Sequence, residues 1–298
     1  MEIKHVYKAE DFPLADPLAS GLVELAVIGY PVKHSASPKM HQAALNKDGK
    51  NISYVRVEIE PGNVAADLDK LRAAGFLGVN ATVPHKFDAL DYCTELTDSA
   101  KLLGTVNTIK FTDTGAIGHN TDGPGFANAI EDSFEKTLRS LSVCIVGAGG
   151  GAGTAIAKQC AQEGCSRIVL INRSVEKLKA LKSSLAEISP GTEVLTLPID
   201  SSDLTEAAKS CNLIVNTTSL GLKETDPSPL PPDTFSPDHL VYDTIYNPPK
   251  TRLLRDAEAA GAKIENGLSL LLHQGALSYE LWFGNTPDLA SMREAISA

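Results

Sequence analysis

Lys86 closes the stretch Asn80-Ala81-Thr82-Val83-Pro84-His85-Lys86, which follows the apolar run Phe76-Leu77-Gly78-Val79 and leads into a predicted helix. Pro84 suits the first position of that helix, so Lys86 falls in its opening turn, where the partial positive charge of the helix end disfavours an ammonium. A purely structural lysine is better placed elsewhere, whereas a lysine whose charged form is disfavoured is suited to passing a proton. A nearby carboxylate opposes that influence. Asp122, in Gly118-His119-Asn120-Thr121-Asp122-Gly123, can supply it, although a helix cap ahead of Gly123-Pro124 explains Asp122 equally well. A third cluster is His34-Ser35-Ala36-Ser37-Pro38. In an extended segment Ser35 and Ser37 point the same way, and Ser37 stands at the start of a helix, so two hydroxyls can meet a carboxylate there. Capping explains Ser37 as readily. His34 and His41 are read as packing or capping groups, and with no third ligand at suitable spacing no metal site is expected.

The second half carries a different signal. Residues 141–146 form a short apolar run ending at Gly147-Ala148-Gly149-Gly150-Gly151-Ala152-Gly153, and residues 154–162 have helical periodicity. Strand, glycine turn and helix in that order can hold a pyrophosphate: the glycines let the backbone approach it, and the helix end attracts its charge. About twenty residues past the last glycine, an acidic residue would bind the ribose 2′-hydroxyl of NAD. This chain has Asn172-Arg173-Ser174 instead. An arginine pairs and stacks with a 2′-phosphate, so NADP is favoured, with NAD open as the alternative. Lys177, four residues on, can reinforce Arg173 or simply be a solvated helix lysine. A nicotinamide cofactor moves hydride, and reducing a ketone leaves an alkoxide that some group must protonate.

A chain of 298 residues is long enough for two domains. Its formal net charge of −10, with no dense basic run, argues against nucleic acid or an anionic membrane as the main partner. The five cysteines lack CxxC spacing and read as reduced core thiols. The N-terminal stretch lacks the basic-then-apolar pattern of a leader, and eighteen apolar residues never run together, so a cytoplasmic protein is expected. Strands are predicted over 22–28, 52–59, 76–83, 106–111 and 116–119, with helices over 38–47, 64–74, 96–103 and 125–138. Alternating strands and helices from 141 onward imply a parallel sheet of strands 141–146, 167–171, 193–197, 213–216 and 240–243. A proline-rich loop over 226–237 interrupts it, and residues 267–283 form a long helix. The fold class is therefore α/β: a parallel-rich α/β catalytic domain over 1–125, completed by 266–298, and a Rossmann dinucleotide-binding domain over 126–265. The C-terminal helix returns to the first domain.

Taken together these stretches resemble the shikimate dehydrogenase family, including its quinate/shikimate relatives. The motifs that carry the resemblance are Gly29-Tyr30-Pro31-Val32-Lys33-His34-Ser35-Ala36-Ser37-Pro38, Asn80 to Lys86, Val106-Asn107-Thr108 and Asn120-Thr121-Asp122-Gly123. The glycine turn, Asn172-Arg173-Ser174, Tyr242-Asp243-Thr244-Ile245-Tyr246-Asn247-Pro248 and Gly267 through Ala276 continue it. The resemblance implies reversible NADPH-dependent reduction of 3-dehydroshikimate to shikimate, with Lys86 and Asp122 as the catalytic acid/base pair. It implies that Ser35 and Ser37 hold the substrate carboxylate and that Asn80, Thr82, Asn107, Asp122 and Gln274 grip the ring hydroxyls. Tyr246 would approach substrate, Gly267 the nicotinamide and Thr217 the cofactor. Gln42, Ala81, Thr105, Leu220 and Leu222 depart from common family residues, and Lys177 replaces the arginine of the NADP-type pattern. An NAD-dependent quinate dehydrogenase is the alternative activity, and a non-catalytic dinucleotide sensor the alternative class. Oligomeric state stays open, a homodimer among the options.

Overall fold

The computed structural model describes residues 6–12 and 23–297; Leu22, where the sequence places the start of the first strand, and most of the polar lead-in lie outside the described residues. The chain divides into two compact units, Met1–Thr121 with Gln274–Ala298, and Asp122–His273. The sequence expectation sets the boundaries four residues later at the first crossing and eight earlier at the second.

In the first unit the order is β1 (Val23–Gly29), α1 (Ser37–Lys47), β2 (Ser53–Glu58), α2 (Val64–Ala73), β3 (Gly78–Ala81), α3 (Lys86–Tyr92), β4 (Glu95–Leu96), α4 (Asp98–Leu103), β5 (Thr108–Thr112) and β6 (Gly115–His119). The sheet runs β2-β1-β3-β5-β6-β4. β2 and β3 pair parallel to β1, because helices carry the chain back between them. β5 pairs antiparallel with both β3 and β6, and a two-residue turn joins β5 to β6. One face of the sheet closes over a core that includes Val57, Leu68, Leu71, Val79 and Ile109. Val64, Leu68 and Leu71, spaced for one face of a helix, are the buried apolar residues of α2.

The second unit continues with α5 (Asp122–Phe134), β7 (Ser142–Val146), α6 (Gly151–Gln162), β8 (Arg167–Asn172), α7 (Val175–Ile188), β9 (Glu193–Pro198), α8 (Leu204–Lys209), β10 (Leu213–Asn216), β11 (Leu240–Asp243), α9 (Arg252–Ala259), β12 (Lys263–Glu265) and α10 (Leu268–Phe283). Its sheet is parallel throughout, in the order β12-β11-β10-β7-β8-β9. This is the doubly wound dinucleotide-binding order. The strands are apolar on both sides: Val143 and Ile145 of β7 join one core, Cys144 and Val146 the other. Cys144, Cys160, Cys165 and Cys211 are buried free thiols, and Cys93 is half-buried. No described helix is long and apolar enough to cross a membrane.

From Gln274 onward α10 counts with the first unit, as does α11 (Leu289–Ser297). This C-terminal segment is tied in by polar contacts: Tyr279 Oη donates to Asp48 Oδ2 at 2.6 Å, Lys110 Nζ to the Leu281 carbonyl at 2.7 Å, and Trp282 Nε1 to the Ile109 carbonyl at 3.0 Å.

Several local expectations change. The predicted helix over 96–103 divides, because Glu95 and Leu96 pair with Ile117 and Gly118 of β6, and the helix starts only at Asp98. Pro84 does not open α3: the Val83–Pro84 peptide is cis, His85 is the capping residue, and Lys86 is the first helical residue. Ser37 is likewise the first residue of α1 and not its cap, a position taken by Ala36. Asp122 is the first residue of α5, inside the helix and not before it. Helix α6 starts within the glycine run, at Gly151.

Gly78 shows how tightly the return packs. A Cβ there would collide with the Ile109 carbonyl and with the Trp282 indole that donates to it. Gly78→Ala is therefore expected to lower the unfolding free energy by about 3 kcal/mol, from overpacking and a strained hydrogen bond. Urea unfolding followed by tryptophan fluorescence measures it, and an unchanged midpoint contradicts the packing described.

Candidate active site

The serine turn precedes α1. Ser35 Oγ accepts from the Ser37 N–H at 3.3 Å, a local turn contact one residue ahead of the capping position. The Ser35 carbonyl accepts from Arg56 Nε at 3.1 Å and Nη2 at 2.6 Å. Tyr54, two residues before Arg56 on β2, is buried, and its phenol donates to Asn80 Oδ1 at 2.7 Å. Burial pushes the Tyr54 phenol well up; the Ser37 hydroxyl and the Arg56 charge oppose it. His41 stacks on the Tyr54 ring, 4.4 Å between centroids and 8° between planes, with Trp282 5.5 Å away.

Asn80 centres a buried polar network. Its Nδ2 lies 3.1 Å from the Asn107 carbonyl, 2.9 Å from Thr108 Oγ1 and 3.0 Å from Ser278 Oγ. Asn107 in turn takes the Thr121 N–H on Oδ1 at 2.8 Å and donates through Nδ2 to Thr121 Oγ1 at 3.0 Å. Ser278 also donates to the Gln274 carbonyl at 2.9 Å, which brings the start of the C-terminal return into the same cluster. Thr82 is held by its N–H on the Ile28 carbonyl at 2.9 Å, and its methyl would lie 2.7 Å from a Cβ on Gly29. Only glycine lets the first strand approach it so closely.

Lys86 is half-buried, and its carbonyl accepts from the Val106 N–H at 3.0 Å, one residue from Asn107. The first unit thus assembles Ser35, Ser37, Asn80, Thr82, Asn107 and Gln274 around linked elements, with Lys86 anchored to the strand entrance. Asp122 and Tyr246 belong to the second unit: Asp122 follows the anchored Thr121, and Tyr246 lies in the loop after β11. Thr108 and Thr121 stand in the sequence motifs without a role of their own, and Tyr54, Arg56 and Ser278 are not singled out from sequence. Tyr54 and Arg56 share the strand face opposite the core-facing Val55 and Val57, their one sequence sign; Ser278 gives none.

In the second unit a cavity of about 560 Å³ opens at the glycine turn, lined among others by Gly147, Gly149, Gly150, Asn172, Arg173, Ser174, Lys177 and Thr217. Ala148, Gly151, Ala152 and Gly267 do not line it. Ala148 faces the core, Gly151 and Ala152 are exposed on α6, and Gly267 packs against the backbone of Thr244. Val146, Ile199, Thr218, Ser219, Leu220 and Pro229 complete the wall. Gly147 has a φ of 88°, and a Cβ on Gly153 would lie 2.6 Å from the Gly147 carbonyl. Such a cradle leaves room for phosphate oxygens against bare backbone, with Arg173 at hand for a further phosphate.

The loop 217–220 on this wall is shaped by a buried pair. Asn216 Oδ1 accepts from Thr218 N and Oγ1 at 3.0 and 2.8 Å, while Nδ2 donates to Asp243 Oδ1 at 3.0 Å. Asp243 also accepts from the Ile245 N–H at 3.0 Å and the Thr251 hydroxyl at 2.7 Å. Burial raises its carboxyl, and these donors oppose the shift.

A doubly wound sheet with an open glycine turn and an arginine-lined wall defines a dinucleotide-binding protein. Comparison with known proteins takes this further. Residues 27–109 match the model of the shikimate dehydrogenase substrate binding domain, residues 267–296 that of the shikimate 5'-dehydrogenase C-terminal domain, and residues 142–220 that of short chain dehydrogenases. A shikimate dehydrogenase (NADP(+)) of Moorella thermoacetica is 39% identical over 285 residues, 94% of this chain and 95% of that protein. A crystal structure of a shikimate dehydrogenase in complex with NADP+ superposes with a TM-score of 0.86 at 36% identity, covering 94% of this chain and 96% of the other. The shikimate 5-dehydrogenase of Thermus thermophilus in complex with NADP(H) and shikimate gives 0.82 at 34% identity, covering 92% and 98%. The chain belongs to the shikimate dehydrogenase family.

His41 gives the site a pH limit. It is fully buried, neither ring nitrogen has a hydrogen-bond partner among the described residues, and burial pulls it down to about 3. The folded pKa lies below the ordinary value of 6.5, so the unfolded chain binds more protons between the two values and stability is lost as pH falls through that window. Well above pH 6.5 both states are deprotonated and the group contributes nothing to pH dependence. The expected loss between pH 6.5 and 5 is about 2 kcal/mol, and His119, also pulled down by burial, acts in the same direction. Denaturant midpoints across this range should show the decline, and His41→Leu should flatten it; equal slopes in both proteins refute the assignment.

Proposed function

We propose that this protein is an NADP-dependent shikimate dehydrogenase that reversibly reduces 3-dehydroshikimate to shikimate. What carries the reading is the near full-length relationship to proteins named shikimate dehydrogenase (NADP(+)). The placement of Arg173 on the nucleotide cavity wall supports NADP over NAD.

NADPH, when bound along the glycine turn, supplies the hydride. The remaining chemistry falls to the chain's own groups. Ser35 and Ser37 face the substrate carboxylate. The ring hydroxyls meet the second Nδ2 hydrogen of Asn107, the remaining Oδ1 lone pair of Asn80, Thr82 and Gln274. Both asparagines are already held by buried partners, so they bind without losing much rotamer freedom. Lys86 gives a proton to the carbonyl oxygen as it becomes an alkoxide, and takes it back in the oxidation of shikimate. Asp122 is its partner in that exchange and a further hydroxyl ligand. Tyr246 approaches the substrate, and Gly267 borders the nicotinamide.

Lys86→Ala is expected to keep NADP+ affinity and lose about three orders of magnitude in kcat. Near-normal turnover removes Lys86 from the mechanism. Arg173→Ala should raise the KM for NADP+ about tenfold or more and leave that for NAD unchanged. Initial rates with shikimate and quinate, each with NADP+ and NAD+, test the activity itself; a clear preference for quinate with NAD+ overturns it.

A further inference from the structure

We infer that Arg56 makes the serine turn selective for an anionic group, an inference that rests on the substrate reading above. Arg56 and Tyr54 stand two residues apart on β2 and so project from the same face of the strand. The guanidinium donates two N–H groups to one acceptor, the Ser35 carbonyl, at 3.1 and 2.6 Å. A carbonyl gripped by a rigid planar fork fixes its peptide, and with it the direction of the attached side chain. Ser35 Oγ already accepts from the Ser37 N–H at 3.3 Å, which leaves its own proton to point away from the helix.

Hydroxyls alone bring no charge to an anion, and the nearby phenol has no proton to spare. A phenol has one proton, and Tyr54 gives it to Asn80 Oδ1 at 2.7 Å. The two neutral hydroxyls of Ser35 and Ser37 are then what the turn offers an incoming carboxylate, in a chain whose net charge is −10. Arg56 brings a permanent positive charge to within one peptide of that hydroxyl. It orients Ser35 and, unlike the exposed Lys33 and Lys39 that flank the turn, brings charge on a guanidinium already fixed by the Ser35 carbonyl.

The test is steady-state kinetics on the full chain with shikimate and NADP+, together with thermal melts. Arg56→Gln retains an amide donor for the Ser35 carbonyl but no charge; the expected result is a rise of about tenfold or more in the KM for shikimate. The KM for NADP+ and kcat should stay within about threefold. Arg56→Lys, which restores charge, should return the shikimate KM to within about threefold of wild type. Arg56→Met, keeping the aliphatic stem, repeats the measurement if the glutamine variant fails to fold. An unchanged shikimate KM in the uncharged variant, or equal losses in the lysine and glutamine variants, overturns the inference. Ser35→Ala separates this from the underlying reading. If it too leaves the shikimate KM unchanged, the turn does not hold the substrate; if it raises the KM while Arg56→Gln does not, only the role of Arg56 fails.

Discussion

The first unit depends on the pairing of polar groups that water cannot reach. Asn80, Asn107, Thr108, Thr121 and Ser278 are all buried, and each carries donors or acceptors whose desolvation costs about 1–3 kcal/mol if left unmatched. The arrangement that satisfies them allows little variation. It ties β3 to β5, the segment after β6 to Asn107, and the C-terminal helix to all three. Asn80 and Asn107, two of the residues proposed to meet the substrate, are members of a network that also closes the fold. The geometry of these two is therefore inherited from the core.

The second unit solves a related problem with a charge. Asp243 is fully buried, and an ionised carboxylate there is tolerable only because Asn216, Ile245 and Thr251 point donors at it. Asn216 passes that order outward to Thr218 and, through its Nδ2, to the Leu220 carbonyl. The cavity wall facing the glycine turn is thus set from behind. In both units the surface that would touch ligand is aligned by an asparagine whose own partners lie deeper.

Much of this was legible from sequence, and the missing parts share a cause. The glycine run after an apolar strand and the arginine at 173 are local patterns, and the cavity lines up along them. Helical and strand periodicity located most elements, since burial of one face imposes it. β12 and β4 escaped notice because three and two residues are too few to display a period; pairing with a neighbour is all that defines them. Ser37 and Pro84 were misplaced by a residue or two, because capping preferences describe an isolated helix, while Arg56 and the sheet decide where these turns begin. Ser278 was invisible for a more basic reason: it meets Asn80 across 198 residues of chain, and no local pattern encodes such a meeting.

The indole that lies over Gly78 belongs to the only tryptophan in the chain. The contacts described for it come from the first unit: the Ile109 carbonyl, His41 and Tyr54. The protein therefore carries a native tryptophan reporter for one half of itself, and only tyrosines, Tyr242 and Tyr246, in the other. Emission excited selectively at the indole will register loosening of the sheet that holds the asparagines, while the nucleotide half can unravel without any change in that signal unless the loss is transmitted.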